Sequence, residues 1–420
     1  MSEETRSSTM SVPPPLLRFW CVLVIVTFAS ATWNFVLVRV MHVKAETVPV
    51  FILPNSVEVY HWDFTVFAER FSHFRKPGFW NDLYYPFVYP AATSFAFAFF
   101  YWFPWSVRVY LAFLSCVILA AAWLWALSLT QRGISALPAA LFVITFVISY
   151  PLRFQLQRAN IEGIVVLFTA AAILAFFKRA YWLAATLIGL AGAMKIFPLI
   201  LFGLLISTRK YKQFIWGIAV AAAANFGSLW LLGPSIALAQ KHIAQGMATF
   251  ERTYVVDTSR GPFVYDHSLF TLVKLPLIIT NPASAKHLVI FAVPIYIATT
   301  ALAGVLLFFL VIRKLPLLNQ VLILTLCGVF LPPVSFDYTL LHLFIPFAML
   351  SLYAVDRWKS HESGPAGLNA AMVLCGIIFA DLNLLRYHYL IGPARAFAML
   401  LLLITLLRTP LRWQSFHQAQ

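Results

Sequence analysis

An all-α, polytopic transmembrane bundle is the fold class this chain predicts, and three observations predict it. The 420 residues are 61% hydrophobic and 11% charged, with a mean hydropathy of +0.83. A water-soluble domain of this length could not carry that composition without aggregating. Apolar runs such as Phe19 to Val38 and Ala366 to Ala380 are uncharged from end to end. A helix needs roughly 20 apolar residues to cross about 30 Å of hydrocarbon, whereas a barrel needs many ~10-residue alternating strands, so these runs choose helices. Clusters of Lys and Arg recur between the runs, as short cytoplasmic loops require.

The first 14 residues are polar and rich in Ser, Thr and Pro, and they read as a disordered cytoplasmic N-terminus. The apolar stretch that follows is too long for a signal-peptide core and lacks a small-residue cleavage site, so it is expected to be the first span, retained. Runs bounded by charges, Pro or Gly then give spans near 17–41, 86–104, 106–130, 160–177, 213–232, 286–311, 316–331, 338–354, 367–385 and 391–407. Residues 135–150 are short for a crossing, and 181–207 carry Gly192, Lys195 and Pro198 at their centre, where a continuous helix would not want them. Both read as hairpins or broken helices, giving about ten to thirteen membrane helices in all. One domain is expected over 15–412, with 413–420 a cytoplasmic tail.

If both irregular stretches return to their own side, six basic clusters fall together: Arg6 with Arg18, Lys178 with Arg179, Arg209 with Lys210 and Lys212, Arg313 with Lys314, Arg357 with Lys359, and Arg408 with Arg412. The positive-inside rule makes that face cytoplasmic. The opposite face then carries the first outer loop (42–85), a second large one (233–268), the Pro332 to Asp337 turn and Arg386 to Leu390. Almost all the polar residues able to do chemistry lie there. No internal repeat is evident, unlike many transporters.

Lys and Arg outnumber Asp and Glu by 30 to 15, but in a helical membrane protein that balance reports cytoplasmic loops, not nucleic acid. Cys21, Cys116, Cys327 and Cys375 stand singly inside apolar runs; they suggest neither a disulfide framework nor a metal cluster. No Asp-x-Asp or His/Cys spacing argues for a metal, and no cofactor is expected.

In the first outer loop Phe64, Phe67, Phe71 and Phe74 follow helical spacing, the pattern of an amphipathic helix lying in the bilayer interface. Asp63 stands at its start. It reads either as the helix cap or as a general base within reach of a sugar hydroxyl, and the roles can coexist. Trp80 to Pro90 reads as an aromatic belt, with Tyr85 and Pro86 placed to line a pocket. In Arg153 to Glu162, Arg158 either pairs with Glu162 at i,i+4, or Arg158 or Arg153 binds phosphate while Gln157 and Asn160 hydrogen-bond a sugar. Lys195, with no other charge for more than ten residues on either side, is a functional candidate at the tip of a broken helix, against the alternative of snorkelling. Asp266-His267-Ser268 and Pro333 to Tyr338 read as helix entries that Ser or Asp can cap.

These landmarks, in this order, resemble the multi-span GT-C glycosyltransferases, most closely glycosyltransferase family 87 with its polyprenyl-phosphate-mannose-dependent mannosyltransferases. The matching pieces are Asp63-Phe64, Tyr85-Pro86 to Pro90, Gln157 to Asn160, Lys195 to Pro198, His267-Ser268 and Pro333-Val334-Ser335. The resemblance implies a GT-C-type bundle in the cytoplasmic (inner) membrane. It implies inverting transfer of a sugar from a polyprenyl-phosphate donor to a lipid or glycan acceptor, at a site facing the periplasm or exterior. Asp63 is then the general base; Lys195, Arg158 and His267 hold the donor phosphate; and Tyr85, Gln157, Asn160, Asp266, Ser335 and Asp337 contact substrate. Where the mannosyltransferase members tend to have a tryptophan and paired histidines after the serine, this chain has Ser335-Phe336-Asp337-Tyr338-Thr339. The resemblance therefore does not extend to the identity of sugar or acceptor. A transporter or lipid flippase shares the many helices and the intramembrane Lys; the missing repeat and the long Asp-bearing loop set this chain apart. A polyprenyl-diphosphate-linked glycan ligase is a second alternative, and a purely structural membrane subunit a third, which Lys195 and the one-sided acids disfavour.

Overall fold

The computed structural model describes residues 12–41, 64, 71, 75–76, 79, 87–259, 262–280, 282–362, 364–382 and 388–413. Asp63, Tyr85 and most of the first outer loop lie outside these.

The described chain is helical. In order it forms α1 (Pro14–Phe35), α2 (Thr93–Tyr101), α3 (Ser106–Gln131), α4 (Ala136–Val147), α5 (Tyr150–Arg158), α6 (Glu162–Phe177), α7 (Tyr181–Met194), α8 (Phe202–Ser207), α9 (Tyr211–Leu232), α10 (Ile236–Phe250), α11 (Leu269–Thr280), α12 (Ala285–Leu310), α13 (Leu317–Phe330), α14 (Phe344–Lys359), α15 (Ala366–Phe379) and α16 (Ile391–Arg408). Short 3₁₀ turns, notably Phe197–Leu201 and Asp337–Leu343, join some of them. Among the described residues six helices are long and apolar enough to cross a membrane, or seven if the bent pair α4 and α5 counts as one span. The chain is a multi-pass helical membrane protein.

Both stretches expected to be irregular are broken. The first is α4 and α5, bent by 47°, with Ser149 and Pro151 starting the second piece. In the second, α7 stops at Met194, Lys195 is extended (φ −145°, ψ 138°), and Pro198 sits in the 3₁₀ turn Phe197–Leu201, where its missing N–H is tolerated. That reversal folds Leu199 back onto Gly192, where an added Cβ would lie 2.0 Å from a Leu199 methyl; only glycine admits so close a return. The expected second outer loop instead contains α10, and the expected 86–104 span is reduced to α2, nine residues long. Pro86 and Pro90 restrict the chain there, so helix begins only after them.

The main core centres on four rings. Phe347 lies 4.3 Å from Phe19 and 4.7 Å from Phe146, and Phe146 lies 4.9 Å from Phe379. These come from α14, α1, α4 and α15, which fixes four helices about one aromatic knot. At 14 residues α13 is short for a span, yet it is buried on nearly every side. The lipid-facing helices are instead α3 and α12, which leave Leu119, Trp123, Phe291, Ile295 and Leu302 exposed.

A second cluster forms around Tyr110 and shows what covers part of the aromatic stripe, the rest of which lies outside the described residues. Phe64 and Phe71, two of the four stripe residues, are buried in protein. Phe64 stacks on Tyr110 at 5.2 Å and meets Phe97 edge-on, while Phe71 packs against Phe79 and Tyr101. The apolar stripe finds aromatic partners on α2 and α3, which offer ring contacts that lipid tails do not.

The basic clusters gather at one end. One cleft is lined by Thr208, Arg313, Lys314 and Arg412, and a neighbouring cleft by Arg132, Arg357 and Arg412. Glu162 and Lys195 lie at the opposite end of the α6–α7 hairpin from Lys178 and Arg179.

Candidate functional site

The hairpin of α6 and α7 builds the first half of the site. Helix α5 ends at Arg158 because Ala159 turns left-handed (φ 50°, ψ 40°). Asn160 restarts the chain as a helix: its Oδ1 accepts the Glu162 N–H at 3.0 Å, the turn that Asn side chains favour. Its Nδ2 donates to the Tyr89 hydroxyl at 2.9 Å, and its carbonyl accepts from Tyr110 Oη and Gln155 Nε2, each at 2.5 Å. Glu162 thus opens α6, and α7 returns alongside to set Lys195 beside it. A carboxylate at a helix N-terminus and an ammonium at a helix C-terminus each sit in the favourable dipole field.

Lys195 donates to Glu162 Oε2 and stands 3.5 Å from Asn160 Oδ1. Its Nζ lies 4.7 Å from the Tyr338 ring centre and 5.2 Å from that of Tyr89. The second oxygen of Glu162 accepts from His342 Nε2 at 2.6 Å; since a carboxylate only accepts, that nitrogen carries the proton. The His342 ring meets Phe197 edge-on at 4.7 Å. Glu162 and His342 are sealed in, whereas the Lys195 side chain keeps 11% exposure. Its charge is held between two aromatic faces, and the side chain keeps a small part of its surface uncovered.

The second half is closed. Asp266 and Phe336 form an isolated antiparallel bridge, and Asp266 Oδ1 accepts from the N–H groups of both Ser268 and Ser335 at 3.0 Å. His267 follows, with Nδ1 3.1 Å from Asp337 Oδ1 and Nε2 3.2 Å from the hydroxyls of Ser335 and Thr339. Asp337 also accepts from Tyr150 Oη at 2.5 Å and from Arg395 Nη1 at 2.7 Å. Arg395 donates to the Ala380 carbonyl and packs 4.6 Å from the Tyr150 ring centre. Asp337, His267 and Arg395 side chains have no exposure. The 3₁₀ turn Asp337–Leu343 joins the halves, giving Asp337 and Thr339 to the second and Tyr338 and His342 to the first.

The structure therefore unites Lys195 with Asn160, and Asp266 with His267, Ser335 and Asp337. Gln157 and Arg158 lie partly buried in the last turn of α5. The i,i+4 pairing of Arg158 with Glu162 needs a continuous helix, and the break at Ala159 removes it; Glu162 meets Lys195 and His342 instead. Arg153 faces Asp381 at 3.5 Å. Asp63 and Tyr85 are outside the described residues. Sequence reasoning passed over Arg395 and His342. The lone arginine inside the apolar run 391–407 carries the same signal as Lys195, an ionisable group at membrane depth, and His342 lies in a span with no other charge before Asp356.

Fold and site together define a polytopic membrane protein that concentrates ionisable side chains at one end of its helices. A family model described as Glycosyltransferase family 87 matches residues 87–335, more than half of the chain. The chain belongs to glycosyltransferase family 87, and it is a glycosyltransferase. Comparison with curated proteins and with solved structures finds no match. The matched stretch holds Gln157, Asn160, Lys195, His267 and Ser335; Asp63, Tyr85 and Asp337 lie beyond its ends.

Proposed function

We infer that this glycosyltransferase moves a sugar from a polyprenyl-phosphate donor to a hydroxyl of a lipid or glycan acceptor, with inversion, at the end of the bundle that carries Lys195. The acceptor oxygen attacks the anomeric carbon, the bond from that carbon to the phosphate oxygen breaks, and polyprenyl phosphate departs. Asp63 takes the hydroxyl proton, and Lys195, with Arg158 nearby in sequence to Asn160, stabilises the charge growing on the leaving phosphate. No metal or nucleotide is required by that scheme.

The observation that carries the reading is the state of Lys195: a cation at a helix break, held by Glu162 and two tyrosine rings, whose side chain is not fully covered. Phe64, next to Asp63 in sequence, is docked on Tyr110, whose hydroxyl bonds the Asn160 carbonyl; this supports a role for Asp63 at the same end. The gathering of basic clusters at the other end supports an exterior-facing site in the cytoplasmic membrane.

The test is transfer of labelled sugar from synthetic polyprenyl-phosphate sugars by purified, folded protein. Asp63→Asn is expected to lower turnover by about 10²- to 10⁴-fold. Parent-like turnover in that variant removes Asp63 as base, and transfer only from nucleotide sugars removes the lipid-phosphate donor.

A further inference from the structure

The end of the bundle remote from Lys195 holds a second arrangement of polar side chains, and it begins with two adjacent amides. Asn319 and Gln320 stand in the first turn of α13, an otherwise apolar helix, and both are buried. Each spends its amide on a neighbouring segment. Asn319 Nδ2 donates to the carbonyls of Leu406 and Thr409 at 2.8 and 2.7 Å, and its Oδ1 accepts the Leu411 N–H at 2.7 Å. Trp413 is tied in turn to Asp356 at 2.8 Å. The strap that carries Arg412 is therefore pinned on both sides. Gln320 Nε2 donates to the carbonyls of Leu315 and Arg313 at 2.8 and 3.4 Å, which fixes the turn that carries Arg313 and Lys314.

Between these two anchored segments lies a cleft of about 510 Å³, lined by Arg313, Lys314, Arg412, Ser207, Thr208 and Gln320 among others, with no carboxylate. The neighbouring cleft, of about 490 Å³, is different: there Arg132 is paired with Asp356 and Arg357 with Glu362. Among the described residues Arg313, Lys314 and Arg412 have no acidic partner. Helix α12 leads into the unneutralised cleft with an exposed apolar face that includes Leu302, Leu306, Phe309 and Leu310. Three exposed cations on anchored backbone, at the mouth of a lipid-facing helix, match an anion that carries its own apolar chains.

We propose that this cleft binds the phosphate of an anionic phospholipid, with Arg313, Lys314 and Arg412 around the headgroup and the acyl chains lying along α12. Fixing the two segments through α13 removes much of the ordering cost that free surface lysines and arginines would bear. The site is separate from Lys195, and the proposal is independent of which sugar the enzyme transfers.

The experiment is native mass spectrometry of the full chain, released from nanodiscs containing equal phosphatidylglycerol and phosphatidylcholine. The parent is expected to retain phosphatidylglycerol at least tenfold over phosphatidylcholine. The triple variant Arg313→Gln, Lys314→Gln, Arg412→Gln should lose that preference, and Arg357→Gln, in the neutralised cleft, should keep it. Raising salt should release lipid from the parent, because the contact is ionic. Equal retention of both lipids by the parent, or an unchanged preference in the triple variant, overturns the proposal. Binding of inorganic pyrophosphate to lipid-stripped protein, without any lipid preference, overturns the lipid source and leaves a soluble anion. Sugar transfer by the triple variant is measured alongside and is expected to persist, so that failure here is distinct from failure of the transferase reading.

Discussion

Two charge clusters share the turn Asp337–Leu343, and they differ in one respect. Asp337, Arg395, His267 and Tyr150 close on one another with no exposure of the charged groups, whereas Lys195, bound to equally buried Glu162, keeps one side open. The closed cluster joins α5, α16, the segment before α11 and the turn as a fastening, its carboxylate answered by Tyr150, His267 and Arg395 and, among its polar atoms, Arg395 Nε left without a partner among the described residues. The open one keeps a cation that can answer something else. A buried charge at membrane depth is thus not by itself a mark of chemistry; the mark is a charge that is held and still accessible.

Paired substitutions can break this contrast. Arg395→Met leaves the Asp337 carboxylate buried without its strongest partner, and the loss is expected to reach about 3–5 kcal/mol, seen as a lowered midpoint in detergent unfolding and little folded protein. Combining it with Asp337→Asn should recover most of the fold; sugar transfer returning with it marks the cluster as a fastening, and transfer staying down marks it as part of the site. Lys195→Met should be milder on stability, about 1–3 kcal/mol, because His342 still serves Glu162. Adding Glu162→Gln should restore the midpoint while turnover stays down by about 10²-fold or more. If the Lys195/Glu162 double variant regained transfer together with stability, the two clusters would be alike and the contrast would fall.

Smaller effects sharpen it. Gly392→Ala would bring a Cβ to 2.2 Å from the Asp266 carbonyl and 2.3 Å from that of Phe263. It should cost about 1–3 kcal/mol by displacing the closed cluster's loop, with Lys195-dependent binding of donor unchanged in those molecules that fold. Tyr338→Phe preserves the ring face over Lys195 and should alter the donor KM by less than about twofold, whereas Tyr338→Leu removes a contact of about 0.5–2 kcal/mol and should raise it.

Much of this architecture was legible in the sequence. Spans follow from hydropathy because lipid forbids an unsatisfied backbone; 135–150 stood out as short for a crossing, and the break at Lys195-Pro198 follows from residues that a continuous helix rejects. Lys195 stood out because nothing near it in sequence was charged. Its partners did not. Glu162 seemed to belong to Arg158 under helical spacing, and only the left-handed Ala159 redirects it across the hairpin. Arg395, alone in its apolar run with Arg386 nine residues before it, was open to the same reading, but its burial and its bond to Asp337 depend on how α16 meets the turn. The aromatic stripe shows the other limit: spacing reveals that Phe64 and Phe71 want an apolar surface, and it cannot say whether lipid or Tyr110 provides it.

The hairpin of α6 and α7 also bears on how the chain enters the bilayer. On the proposed exterior placing of Lys195, insertion of α7 brings an ammonium group into hydrocarbon, which costs an unpaired lysine about 2.5–3.5 kcal/mol at mid-depth. The counter-charge has been synthesised first and waits at the destination, because Glu162 opens the preceding segment.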